Sequence, residues 1–170
     1  TLGARNRERA TKIANTSIML ALIGGAVFSL TGIFFAQKLA RSFTTVESTA
    51  ALCADYLSIC MIFCFGNFIE TMLQRFLQAA GNTVLSMCSL IAGAVTNIIL
   101  DPILIFGLFG FPALGIRGAA IATVIGQWLG AAVALLLNRF CNREVIVDFR
   151  GFCPEKEIIF GIYKAGLPNI

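Results

Sequence analysis

Asp101 is the residue in this sequence best placed to do chemistry. It stands in a long apolar run, four residues after Asn97 and directly before Pro102. A carboxylate inside a bilayer is costly, so it is a functional candidate by default. Residues four apart share a helix face, so Asn97 and Asp101 point the same way. Pro102 has no N–H to give the carbonyl of Ile98, and its ring crowds that carbonyl. The expectation is a kinked helix with main-chain oxygen set free. Asn97, Asp101 and such a carbonyl are hard oxygen ligands, suited to sodium or a proton in an interrupted membrane helix. A carboxylate that merely caps its helix in the headgroup region is the alternative, and both stay open at this point.

Two further polar groups interrupt apolar runs. Thr123 and Gln127 lie four apart, beside Gly118, Ala122, Gly126, Gly130 and Ala134, which also recur every four residues. That series is a ridge of small side chains, which lets another backbone approach closely. Thr123 and Gln127 have no reason to face lipid and are expected to face Asn97 and Asp101. Interhelical hydrogen bonding without chemistry is the alternative. Glu70 and Gln74 share another face, followed by Arg75. The expectation there is an ion pair near the cytoplasmic surface; lining of a water-filled path is the alternative.

A bundle of membrane helices must position these residues. Of 170 residues, 58% are hydrophobic and only 13% charged, and the mean hydropathy is +0.85. A soluble domain carries about a quarter of its residues charged. The composition therefore excludes a soluble enzyme, a disordered tail and a nucleic-acid binder; the 15 Phe residues are accompanied by no basic groove. A membrane helix takes roughly 20 residues, so four or five fit. The expected fold class is an all-α polytopic membrane bundle with four full spans, over residues 16–36, 52–79, 83–106 and 118–137. A fifth helix should begin at Pro154, because proline suits a first turn and Glu155 and Glu157 suit its positive end. Gly166 and Pro168 should bend or interrupt it.

Four alternating spans put ten of the 13 basic residues on one side, leaving Lys38, Arg41 and Arg117 on the other. The richer side is cytoplasmic. There is no His, and the six cysteines form no CxxC pair; they read as small hydrophobes rather than a disulfide framework. No nucleophile elbow, phosphate loop, HExxH zinc motif or dinucleotide fingerprint occurs. An enzyme is not expected.

The ordered runs Gln78-Ala79-Ala80-Gly81-Asn82-Thr83, Asn97-Ile98-Ile99-Leu100-Asp101-Pro102 and Gly118-Ala119-Ala120-Ile121-Ala122-Thr123 resemble the multidrug and toxic compound extrusion family. Gly3-Ala4-Arg5 and Lys164-Ala165-Gly166-Leu167-Pro168 also look like pieces of it. The resemblance implies two pseudo-symmetric six-helix lobes in the complete protein, with this chain running from the loop before helix three to the start of helix seven. Residues 1–137 would belong to the N-terminal lobe, 138–157 to a cytoplasmic linker between lobes, and 158–170 to the start of the C-terminal lobe. It also implies export of cationic or amphipathic compounds in exchange for sodium or protons. The family's coupling site would fall on Asn97, Asp101, Thr123 and the main-chain oxygen of Ala119; Gln127 and Glu70, read from their own positions, are candidates to line the cavity. The family adds an Asp on its first helix, which this chain does not contain, so the site here is incomplete. No tightly bound cofactor, only the coupling ion, is expected. The partners implied are the lipid bilayer, small-molecule substrates and the rest of the same polypeptide, in the cell membrane of a bacterium or archaeon.

Two other readings remain. One is a flippase or exporter of lipid-linked sugars from the same superfamily, which should need a more cationic cavity. The other is a membrane assembly module without transport, in which the ridge of small residues is a dimerisation face.

Overall fold

The computed structural model of the chain describes residues 7–142 and 156–166, with side chains over 9–142 and 157–162. Helix α1 (Arg7–Phe43) is followed by α2 (Glu47–Ile62), α3 (Phe65–Ala79), α4 (Thr83–Phe106), α5 (Ile116–Cys141) and α6 (Lys156–Gly166). Among the described residues there is no strand. Helices α1, α4 and α5 are each long and apolar enough to cross a membrane, and α2 with α3 makes a fourth crossing as a bent pair. The fold is thus the all-helical membrane bundle that composition dictates.

The expected single span over 52–79 is instead broken. Helices α2 and α3 meet at 53° across Phe63 and Cys64. A break in a membrane helix survives only where its backbone groups find partners, because lipid offers none. Here Phe63 N–H still reaches the carbonyl of Ile59 and Cys64 N–H that of Met61, and α1 serves the Ile62 carbonyl. Ser29 Oγ donates to the carbonyl of Ile62 at 3.1 Å, and Cys64 Sγ donates to the carbonyl of Gly25 at 3.4 Å. Glycines in α1 make room for the bend: a Cβ on Gly25 would sit 3.1 Å from the Phe65 ring, and one on Gly32 would run into Met61.

The bundle interior is built from small residues. Ala40, Ala120, Ala122 and Ala134 are fully buried, whereas Phe34, Ile98 and Phe140 lie about 70% exposed. That arrangement fits a protein whose solvent is hydrocarbon, where close backbone approach holds the helices together. The ridge on α5 is used inside the chain. A Cβ on Gly118 would lie 2.5 Å from the carbonyl oxygen of Leu104, one on Gly126 would lie 2.8 Å from that of Gly93, and one on Gly130 would run into Glu70. The close backbone approach expected of the ridge is thus made within the chain, to α4 at Gly118 and Gly126 and to α3 at Gly130.

Connections follow from glycine and backbone pairing. Helix α3 ends with Gly81 at φ 83°, Gly81 N–H on the carbonyl of Gln78 and Asn82 N–H on that of Leu77, a Schellman closure. Helix α4 does not end at Pro102 but runs through it to Phe106. Its last carbonyls are taken up by the α4–α5 connection, where Leu114 N–H reaches Leu104 at 3.0 Å and Gly115 N–H reaches Ile105 at 3.2 Å.

Charges mark the two ends of the bundle. Arg117 pairs with Asp55 at 2.9 Å and Arg41 with Glu47 at 3.0 Å, and all four line one cleft, so two of the three basic residues expected on the external side share one end. At the other end Asn138, buried in α5, donates to the carbonyl of Leu73 at 2.9 Å, tying α5 to α3. Of the fifth helix, α6 begins at Lys156; Pro154, Glu155 and the expected bend at Pro168 lie outside the described residues. The five described cysteines are free thiols.

Candidate cation site and cavity

The approach of Gly93 to Gly126 brings α4 and α5 nearly into backbone contact. One turn from Gly93 stands Asn97, and one turn from Gly126 stands Thr123. Their side chains meet, with the Asn97 amide 3.2 Å from Thr123 Oγ1. The amide orientation that satisfies its surroundings turns the oxygen to Thr123 N–H at 3.1 Å and the nitrogen to Asp101 Oδ2 at 3.2 Å. Asn97 is thus the bridge between Asp101 and Thr123. The Thr123 hydroxyl in turn donates to the carbonyl of Ala119 at 2.9 Å, which places that main-chain oxygen beside the group.

The structure therefore brings Asn97, Asp101, Ala119 and Thr123 together. Asp101 Oδ1 is buried and has no hydrogen-bond partner among the described residues. One carboxylate oxygen is thus satisfied by Asn97 while the other keeps its lone pairs, which fits a cation or a proton. No cluster of three His, Cys, Asp or Glu side chains forms among the described residues, so the donor set here is one carboxyl group with neutral oxygens. Tyr56 of α2 joins it, with its hydroxyl 3.4 Å from Thr123 Oγ1. Sequence reasoning missed Tyr56, since nothing in its local spacing connects it to residues 67 positions away.

Beside this group α3, α4 and α5 form an open cavity of about 370 Å³. Asn67, Glu70, Thr71 and Gln74 line it from α3, Asn97 from α4, and Thr123 and Gln127 from α5. The spacing 67, 70, 71, 74 is one helix face. That polar stripe in an apolar span is the signal by which Asn67 and Thr71 could have been found. Gln127 shares the cavity with Asn97, and its Oε1 is buried without a hydrogen-bond partner among the described residues.

Of the two sequence readings of Glu70, its place in the structure agrees with the lining of a polar path and not with an ion pair near the cytoplasmic surface. It lies against Gly93 and Gly130, each near the middle of its helix, so it sits at mid-depth rather than near the cytoplasmic surface. It forms no ion pair with a described residue. Gln74 Nε2 donates to it at 3.0 Å.

Residues 1–103 match the MatE family model. The chain is 37% identical over 172 residues to the probable multidrug resistance protein YoeA of Bacillus subtilis, an alignment covering 98% of this chain and 36% of that protein. It is 30% identical over 168 residues to the multidrug export protein MepA of Staphylococcus aureus, again covering 98% of the chain and 36% of the relative. Among solved structures, an inward-facing multidrug resistance transporter of the MATE family and MOP superfamily superposes with a TM-score of 0.87 at 28% identity, over 98% of this chain and 37% of the other. A MOP superfamily transporter from Pyrococcus furiosus gives 0.85 at 28% identity, over 98% and 36%. The chain thus spans little more than a third of the length of these relatives. Its membrane helices, its ordered motifs and the match over residues 1–103 agree: the chain belongs to the MatE, or multidrug and toxic compound extrusion, family.

Proposed function

We propose that this chain is part of a secondary active multidrug transporter, which exports cationic or amphipathic compounds in antiport with sodium or protons. The observation that carries the reading is the buried, unpartnered Oδ1 of Asp101, held beside Asn97, Thr123 and the Ala119 carbonyl. One carboxyl group among neutral oxygens balances a single positive charge, as sodium or a proton brings. Asn97 and Thr123 line the cavity as well as the ion group. An ion that draws on Asn97 and Thr123 therefore changes the wall that a substrate meets. If the ion binds one conformation of the transporter more tightly than the other, its gradient shifts the populations and drives export.

The cavity walls support drug export over lipid-linked sugar export. Among the described residues they carry one carboxyl group and no Lys or Arg, the wrong polarity for a pyrophosphate-linked cargo. The test is transport by the intact polypeptide in proteoliposomes with an imposed sodium or pH gradient. Gradient-driven movement of dye cations, and none of lipid-linked sugars, is expected. Movement of the sugars alone would overturn the reading.

A further inference from the structure

Two membrane crossings weaken at the same level. The α2–α3 break at Phe63–Cys64 is bonded to the stretch of α1 that holds Gly24, Gly25 and Ser29. No proline fixes the break. Its residues keep ordinary backbone angles, φ −98° and ψ 19° at Phe63, φ −64° and ψ −11° at Cys64. Modest rotations therefore change the bend without crossing a steric barrier. In α1 the Phe65 ring demands Gly25, but nothing demands Gly24: a Cβ there would meet Phe68 at an ordinary 3.7 Å. A glycine inside a helix costs about 1 kcal/mol relative to alanine. What Gly24 contributes is a helix that bends easily at that turn.

The bonds around this joint sort into two bodies. Ser29 Oγ on the Ile62 carbonyl ties α1 to α2 toward the Arg117 end. Cys64 Sγ on the Gly25 carbonyl ties α1 to α3 toward the Asn138 end. Neither bond crosses the joint. Helix α3 is clamped to α5 along its length: the Trp128 ring lies against Gly66 and Glu70 against Gly130, while Asn138 and Asn142 donate to the carbonyls of Leu73 and Phe76. Helix α2 meets α5 through weaker polar contacts. These are the half-exposed Asp55–Arg117 pair and the Tyr56 hydroxyl, 3.4 Å from Thr123 Oγ1. We propose that residues 29–62 form a lever arm that pivots as one body on this joint, and that ion binding moves the arm by taking Thr123 Oγ1 away from Tyr56. The drive rests on the ion reading of Asp101; the pivot rests on the joint alone.

The experiment measures distances by pulsed electron paramagnetic resonance on the intact polypeptide in nanodiscs. Spin labels enter as non-natural amino acids, so Cys64 stays in place. Labels at Ser48 in α2 and Ala79 in α3 report the arm against the body; labels at Ala79 and Ile116 in α5 report the body alone. The half-helices of 16 and 15 residues are roughly 24 and 22 Å long, so straightening their 53° bend lengthens the first distance by up to roughly 5 Å. In wild type the Ser48–Ala79 distance should be the broader of the two and should shift by roughly 2–5 Å when sodium is added or the pH lowered, with the body pair fixed. Gly24→Ala should cut that shift by about half or more, because alanine stiffens the turn, while melting no lower than wild type. Tyr56→Phe should keep the breadth and lose the shift. A Ser48–Ala79 distance as narrow as the body pair in every condition would overturn the pivot, as would a Gly24→Ala variant that shifts as far as wild type. A broad distance unmoved by an ion that does raise the melting midpoint would overturn the drive through Tyr56. A broad distance with a midpoint that responds to neither sodium nor pH would overturn the ion reading and leave the pivot standing.

Discussion

Replacing Gly126 by alanine adds a single methyl group at the point where α4 and α5 come closest. That methyl would lie 2.8 Å from the Gly93 carbonyl oxygen and 3.4 Å from Asn97 Cβ. Comfortable contacts between non-bonded atoms begin at about 3.5 Å, so the helices must part locally by roughly 0.5–1 Å. Overpacking of that size costs about 1–3 kcal/mol. The strain falls on Asn97, whose amide contacts to Thr123 N–H and Asp101 Oδ2 are only 3.1 and 3.2 Å long and have little slack. The assay is thermal unfolding of the intact polypeptide, measured over a series of sodium concentrations and pH values. Gly126→Ala should lower the midpoint and weaken its response to the stabilising ion. Gly24→Ala is the control, since its methyl would meet only Phe68, at an ordinary 3.7 Å; it should be neutral or stabilising by up to about 1 kcal/mol. If Gly126→Ala is as benign as Gly24→Ala, with an unchanged ion response, the close approach does not set the site.

Other substitutions separate the contacts that matter from those that do not. Asn138→Leu removes donors to the Leu73 and Ala134 carbonyls in a buried place and should cost about 1–3 kcal/mol, read by the same melting assay. Asp55→Asn breaks the Arg117 ion pair, whose side chains are 63% and 41% exposed, and should cost less than about 1 kcal/mol. Ser29→Ala removes the donor that serves Ile62 at the α2–α3 break. It should cost about 0.6–1.7 kcal/mol and speed deuterium exchange of the amides around residues 62–66.

Much of this arrangement can be read from one chain because lipid makes simple demands. A run such as 83–106 has to be one helix, and its observed limits are those of the apolar run. The four-residue repeat of small side chains on α5 announces close packing, and the structure shows what fills it. Asn97, Asp101 and Thr123 come together through that same packing, so their proximity follows from pattern and depth. Other features depend on distant neighbours. The break at Phe63–Cys64 has no proline to announce it; Ser29 of another helix serves the Ile62 carbonyl there, and the Cys64 thiol anchors the break to the carbonyl of Gly25. Tyr56 reaches Thr123 only once α2 has packed on α5. Glu70 reads as a surface ion pair because Arg75 follows it, yet the helix turns the two apart: Arg75 bonds to Gln78, while Glu70 faces the glycines of α4 and α5.

The direct measurement of ion coupling at Asp101 is gradient-driven export by the intact polypeptide reconstituted in proteoliposomes, comparing wild type with Asp101→Asn. Asparagine keeps the size and the contact with Asn97 but removes the charge and the titratable oxygen. Wild type should export a dye cation when a sodium or pH gradient is imposed, and the variant should move it no faster than without a gradient, while folding and reconstituting equally well. Export by Asp101→Asn that still follows the gradient at the wild-type rate would contradict the site.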